Sequence, residues 1–122
     1  MNYDPDNIFA QILRGMIPCD KVYENDHALA FRDINPQAPV HVLIIPKGPY
    51  VSSTDFGANA SPAEVAGFMR AVNAVAEEQG VAGTGYRLIA NAGADGLQEV
   101  PHFHMHLLGG RPLGRMLGPA PD

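Results

Sequence analysis

From residue 102 to residue 107 every second side chain is an imidazole: His102, His104 and His106 alternate with Phe103, Met105 and Leu107. Successive side chains of a β-strand point to opposite faces, so this run places three histidines on one face and three apolar groups on the other. The segment is therefore expected to be a strand over residues 100–108. Its apolar side needs a hydrophobic layer to cover it, and its polar side is free for chemistry.

The rest of the chain supplies that layer. Asp6 can cap a first helix reaching about residue 15, with Ile8, Phe9, Ile12 and Leu13 on one stripe, and Gly15 and Pro18 end it. Residues 21–25 and 27–32 read as a hairpin turning at Asn25 and Asp26. Pro36 and Pro39 hold the turn that follows. Residues 41–46 are almost continuously apolar and form a central third strand, while residues 47–60 read as a polar loop. Ser61-Pro62-Ala63-Glu64 then combines a capping serine, a proline at the first helical position and a glutamate three residues after the cap. Val65, Phe68, Met69, Val72, Val75 and Ala76 continue at helical spacing to Gly80. Residues 86–91 make a fourth strand, and a glycine-containing turn over 92–97 leads into the histidine strand. Strands joined by short turns, with two helices apart from them, indicate an antiparallel α+β fold with a five-stranded sheet. Residues 1–111 form one domain. Residues 112–122, with Gly114, Gly118, Pro119 and Pro121, form an irregular tail.

A length of 122 residues suits a single core. Thirteen acidic against eight basic side chains give a net charge of −5, with no basic cluster in either half. Such a surface offers no general attraction for DNA, RNA or anionic lipid, so neither nucleic acid nor membrane is an expected partner. A small phosphate ligand is compatible with it, because local N–H donors can outweigh the global field. No apolar stretch is long enough to span a bilayer, and the N-terminus lacks secretory features. The single cysteine, Cys19, has no internal partner, which points to a reducing cytoplasm.

Each neutral imidazole carries one donor and one acceptor nitrogen and titrates near pH 6.5 when unperturbed. A row of them can relay hydrogen bonds, fix one another's tautomers and bind an anion. Residue chemistry alone leaves three uses open: zinc ligation with a further ligand such as His41, nucleophilic attack on phosphorus, or a partly buried structural role. Likewise Asp33 can be a turn cap before Asn35, Asn91 a strand-end residue, and Ile8, Phe9 and Ile12 core packing.

The run His102-Phe103-His104-Met105-His106-Leu107-Leu108, followed by Gly109-Gly110-Arg111-Pro112, resembles the motif of the histidine triad family. Within it the chain is similar to the Hint-like, purine nucleoside phosphoramidase branch. Ile8-Phe9, Ile17-Pro18, the block from Ala30 to Pro39, His41, Ile45-Pro46, Gly85-Tyr86-Arg87, Asn91 and Asp95-Gly96 extend the resemblance over nearly the whole length. The resemblance implies a homodimer whose two five-stranded sheets fuse into one of ten strands, with the tail near the partner's active site. It implies that His104 attacks the α-phosphorus of an AMP or GMP phosphoramidate, forming a nucleotidyl-histidine that water then cleaves. His106 would contact phosphate, His102 would support, and His41 would extend the histidine network. Asp33 would accept from the ribose hydroxyls, Asn91 would make a phosphate-side contact, and Leu97, Glu99 and Val100 would be nucleotide-binding loop residues, with Glu99 beside the leaving group. Ile8, Phe9, Ile12, Phe31 and Ile34 would line the base pocket. The scheme requires no cofactor and no metal.

Two residues depart from the animal members of this branch: Glu99 stands where they have serine, and Leu97 where they have glycine. A glutamate repels phosphate unless it faces the leaving amine, which would suit cationic leaving groups. A nucleotide-binding regulatory protein with incidental hydrolysis is the competing reading. The Asp33 assignment has a direct check. Asp33→Ala is expected to weaken ribonucleotides by about 1.5–3 kcal/mol more than their 2′-deoxy counterparts, as befits a lost charge-assisted hydrogen bond. Equal losses for both sugars by calorimetry would leave Asp33 as a turn residue.

Overall fold

The computed structural model describes residues 1–118, and the tail positions Pro119 and Pro121 lie outside the described residues. In chain order the elements are α1 (Ile8–Leu13), β1 (Lys21–Glu24), β2 (Ala28–Arg32), β3 (Val40–Pro46), α2 (Ser53–Asn59), α3 (Pro62–Glu78), β4 (Tyr86–Ile89) and β5 (Met105–Gly109). The strands form one antiparallel sheet in the order β1-β2-β3-β5-β4.

Both faces of the central strands are covered, which explains why β3 carries no alternation. Ala28, Ala30, Val42, Ile44 and Leu107 face α3 and meet Phe68, Ala71, Val72, Val75 and Ala76. The intervening residues Leu29, Phe31, Leu43 and Ile45 point the other way, onto Phe9 of α1. The period of two thus sorts one strand pair into two cores. The capping box forms as expected: Ser61 Oγ accepts from the Glu64 amide at 3.1 Å, and Glu64 Oε1 accepts from the Ser61 amide at 3.0 Å. Among the described residues, no helix is long and apolar enough to cross a membrane.

Three expectations need correction. The cap of α1 is Asn7, not Asp6: Asn7 Oδ1 accepts from the amides of Phe9 and Ala10, both at 2.9 Å. The supposed polar loop contains α2, so the described residues hold three helices rather than two. This helix has one buried side chain, Phe56, too little to make a periodic pattern. That ring completes an aromatic cluster, with centroids 5.3 Å from Phe68 and 5.1 Å from Phe103. Finally, the ladder of β5 starts at Met105 rather than near residue 100. Its neighbour β3 ends at Pro46, Pro101 has no N–H to donate, and the Phe103 amide donates instead to the Tyr50 carbonyl at 2.7 Å. Sidedness survives off the ladder: Phe103 joins the α3 core, while His102 and His104 meet Phe9.

The α3 core supports the histidine segment through Phe103, whose centroid lies 5.0 Å from that of Phe68. Phe68→Ala should cost about 3–5 kcal/mol of unfolding free energy, the range for emptying a buried aromatic site. Urea denaturation would show it as a lower midpoint at unchanged slope.

Candidate active site

The cross-strand register sets the geometry. His106 on β5 lies opposite Leu43 on β3, and His41 sits two residues before Leu43 on the same face. The Gln37 amide donates to His41 Nδ1 at 3.1 Å. A backbone N–H can only donate, so the His41 proton resides on Nε2. That nitrogen is 2.9 Å from His106 Nδ1 and donates to it, which leaves the His106 proton on Nε2. One backbone amide therefore fixes two tautomers in series.

The other two histidines are fixed by carbonyls, which can only accept. His102 Nε2–H donates to the Pro46 carbonyl at 2.8 Å, so its Nδ1 is an acceptor and takes the Tyr3 hydroxyl proton at 2.8 Å. His104 Nδ1–H donates to the carbonyl of His102 at 2.8 Å. His104 Nε2 consequently keeps its lone pair. The His104 ring is wedged between Phe9 and His106, with centroids at 5.0 and 5.3 Å.

Burial holds all four imidazoles below their ordinary titration range. His106 is pushed down to about 4, first by desolvation and then by the neighbouring His104 and His41. Desolvation is also the leading cause for His41, His102 and His104. At neutral pH the cluster is uncharged, with a lone pair on His104 and an N–H on His106.

Both rings open onto a cavity of about 420 Å³. Of the residues expected from the sequence, Phe9, Asp33, Asn91, Leu97, Glu99 and Val100 line it beside His104 and His106. Phe31 is buried beneath Phe9, ring centroids 5.6 Å apart. His102 is fully buried and His41 lies behind His106, so neither reaches the cavity. Ile12 packs against the α1 core and borders a neighbouring hollow, while Ile8 and Ile34 are exposed, at 44% and 88%, and do not line this one. The wall also includes Leu43, Asn35, Gln37 and Gln98, which sequence reasoning missed. Leu43 was accessible through strand pairing with His106. Gln98 left no signal, because its role depends on the loop: its side chain bonds the Val51 and Val100 carbonyls and the Gly93 amide. That buckle holds Leu97 at a φ of 58°, a left-handed conformation that favours glycine over a residue with a Cβ. A larger hollow of about 650 Å³, near Val81, Tyr86 and Arg87, contains no histidine.

Among the described residues, the cavity lining carries no lysine or arginine, and its formal charges are the carboxylates of Asp33 and Glu99. An anion would have to be held by neutral donors. Asp33 Oδ1 accepts from the Asn35 amide at 2.8 Å, so the turn-cap role is real, and Oδ2 stands 3.4 Å from His41 Nε2. Asp33, His41 and His106 bring potential ligand atoms within 4.8 Å of one another. Yet the two imidazole nitrogens, at 2.9 Å, have the spacing of a shared proton. Bonds of about 2.0–2.1 Å in a tetrahedral zinc site would set them roughly 3.3 Å apart and displace that proton. The donor set fits a hydrogen-bond relay better than a metal cage.

Comparison with known proteins adds ancestry to this geometry. The HIT domain family matches residues 14–113. The chain is 60% identical over 115 residues to an uncharacterized 13.2 kDa HIT-like protein of Azospirillum brasilense, covering 94% of each. It is 52% identical over 113 residues to the purine nucleoside phosphoramidase of Escherichia coli (strain K12), covering 92% of this chain and 93% of that one. A HIT family hydrolase from Legionella pneumophila has a similar structure, with a TM-score of 0.83 at 41% identity over 91% of this chain and 98% of that one.

The depressed imidazoles make stability depend on pH. An unfolded histidine takes its proton near pH 6.5, whereas folded His106 resists to about 4. Within that window the unfolded chain binds more protons, so stability rises with pH. The urea midpoint is expected to hold above pH 6.5, fall as pH is lowered towards 4, and fall less steeply in His106→Gln. A wild-type midpoint that stays flat across this window would show that the imidazoles titrate normally.

Proposed function

The chain belongs to the HIT domain family, and from that premise we propose that it hydrolyses purine nucleoside 5′-phosphoramidates through a nucleotidyl-histidine on His104. One observation carries the reading. The His104 Nδ1–H is tied to the His102 carbonyl, so the Nε2 lone pair is available at the cavity next to the His106 Nε2–H. In the first step His104 Nε2 bonds to the α-phosphorus as the P–N bond breaks, and the departing nitrogen takes a proton from solvent. His106 donates to a non-bridging oxygen, and the His41 relay holds that proton in place. Formation of the P–Nε2 bond gives the ring a positive charge, delocalised over both nitrogens, which the His102 carbonyl stabilises through Nδ1–H. Water then attacks phosphorus and returns one proton to solvent, Nε2 leaves as neutral imidazole, and AMP or GMP is released. Substrate binding uses Asp33 for the ribose, Phe9 for the base and Asn91 for the phosphate. Glu99 faces the leaving amine.

The reading extends to assembly. The described residues that line the cavity all fall within residues 1–111, which supports reading that span as the catalytic domain. Strand β4 is an edge whose Tyr86 and Leu88 are exposed, at 39% and 37%. A second copy pairing along that edge would cover it and extend the sheet to ten strands. The Arg87 guanidinium donates to the carbonyls of Gly114 and Arg115 at 3.0 and 3.2 Å, which keeps the start of the tail on this side. The acidic surface supports a small-molecule substrate rather than a nucleic acid.

His104→Ala should lower kcat on adenosine 5′-monophosphoramidate by about a thousandfold or more, as removal of a nucleophile does. AMP binding should survive. Rapid quenching of the wild type should yield one nucleotidyl mass on His104. A His104→Ala protein with near-normal turnover would overturn the assignment, and tight AMP binding by a wild type without turnover would favour a regulatory role.

A further inference from the structure

Tyr3 precedes the residues that match the family and takes no part in the chemistry just described. Its hydroxyl nevertheless lies 2.8 Å from His102 Nδ1, across 99 residues of chain. We propose that Tyr3 is a positioning residue: its O–H fixes His102 so that the His102 carbonyl can hold His104 with Nε2 facing the substrate. The inference rests on His104 acting as the nucleophile.

The connection runs through three hydrogen bonds. Tyr3 donates to His102 Nδ1, His102 Nε2–H donates to the Pro46 carbonyl at 2.8 Å, and the His102 carbonyl accepts from His104 Nδ1–H at 2.8 Å. His102 is fully buried, so its Nδ1 has no access to bulk water and depends on the phenol. Without it the ring would keep an unpaired buried acceptor, or turn and abandon Pro46. Either response moves the peptide group that orients His104.

The N-terminal segment is built to keep the phenol there. The Asp4 carbonyl accepts from both the backbone and the side-chain amide of Asn7, at 3.1 and 2.7 Å. Asp4 Oδ1 accepts from the Asp6 amide at 2.9 Å, and Arg14 donates to the Pro5 carbonyl at 2.8 Å. Asn7 caps α1, and Phe9 on that helix packs edgewise on both His102 and His104. The strap, the helix and the two histidines therefore form one rigid group.

The test uses the full chain and Tyr3→Phe, which keeps the ring and removes the hydroxyl. With adenosine 5′-monophosphoramidate as substrate, kcat should fall about three- to tenfold, the effect of one net hydrogen bond, while KM changes less than about twofold. Long-range ¹H–¹⁵N spectra should move the His102 Nδ1 resonance towards that of an unpaired ring nitrogen and shift His104 Nδ1 with it. An unchanged kcat, or kcat and KM changing in step, would overturn the proposal. So would a wild-type spectrum in which His102 Nδ1 accepts no hydrogen bond, a result that needs neither the variant nor turnover. Failure of the wild type to cleave the substrate would instead count against His104 chemistry, and with it against the role given to Tyr3, even where the spectra show the hydrogen bond.

Discussion

A buried imidazole needs a partner for each ring nitrogen that solvent cannot reach, and one of those partners decides which nitrogen keeps the proton. Four histidines lie along one face of the β3–β5 pair and its continuation past Pro46, three held by backbone groups of fixed polarity and His106 by His41. The Gln37 amide can only donate, and the carbonyls of Pro46 and His102 can only accept. Proton positions follow from the backbone, and the Asp33 carboxylate, 3.4 Å from His41 Nε2, favours the same tautomer there. The fold's task is to bring those backbone groups to the rings: β3 ends at Pro46, the turn after β2 presents Gln37, and the segment before β5 leaves the ladder so that His102 and His104 can use other partners.

Neutrality of the cluster follows from the same burial. Desolvation keeps the rings uncharged, which preserves a nucleophilic lone pair at pH values where an exposed imidazole would begin to protonate. The cost is that the site lacks a cation for its anionic substrate. Neutral donors can hold one negative charge on a phosphate diester-like group, but they compensate a polyphosphate chain poorly. With Asp33 and Glu99 nearby, each additional negative charge on the ligand would be repelled. Charge therefore favours a substrate with a single ionised phosphate oxygen and an uncharged or cationic leaving group.

Much of this was legible in the sequence where a rule of period or chemistry applied. Alternation in residues 102–107 predicted the sidedness of the histidines correctly, even though only His106 lies on the ladder. Ser61 to Glu64 predicted the start of α3 because the capping box is a local structure that needs no tertiary partner. What escaped depended on contacts between distant segments. Helix α2 presents a single buried ring, Phe56, and is stabilised by an aromatic cluster assembled from Tyr50, Phe68 and Phe103. Gln98 and Tyr3 are ordinary polar residues by any local measure. Their roles come from loop carbonyls and from a histidine 99 residues away. Ile8 and Ile34, which the resemblance assigned to the base pocket, are exposed and do not line the described cavity.

That last discrepancy has a physical reading. Ile8 begins the six-residue helix that carries Phe9, and Ile34 follows Asp33 in the proline-bounded turn after β2, so each adjoins a cavity-lining residue while staying exposed itself. Apolar side chains on a rim gain little until a flat aromatic ligand covers them, and then both the ligand and the side chains lose contact with water at once. The buried floor, made of Phe9, Phe31 and Leu43, is rigid because its rings pack into the second core. Ile8 and Ile34 are not among the side chains packed against that core. A base would therefore meet a preformed floor and complete the walls by its own burial, while the histidine cluster, already fixed by backbone hydrogen bonds, would need no rearrangement to meet the phosphate.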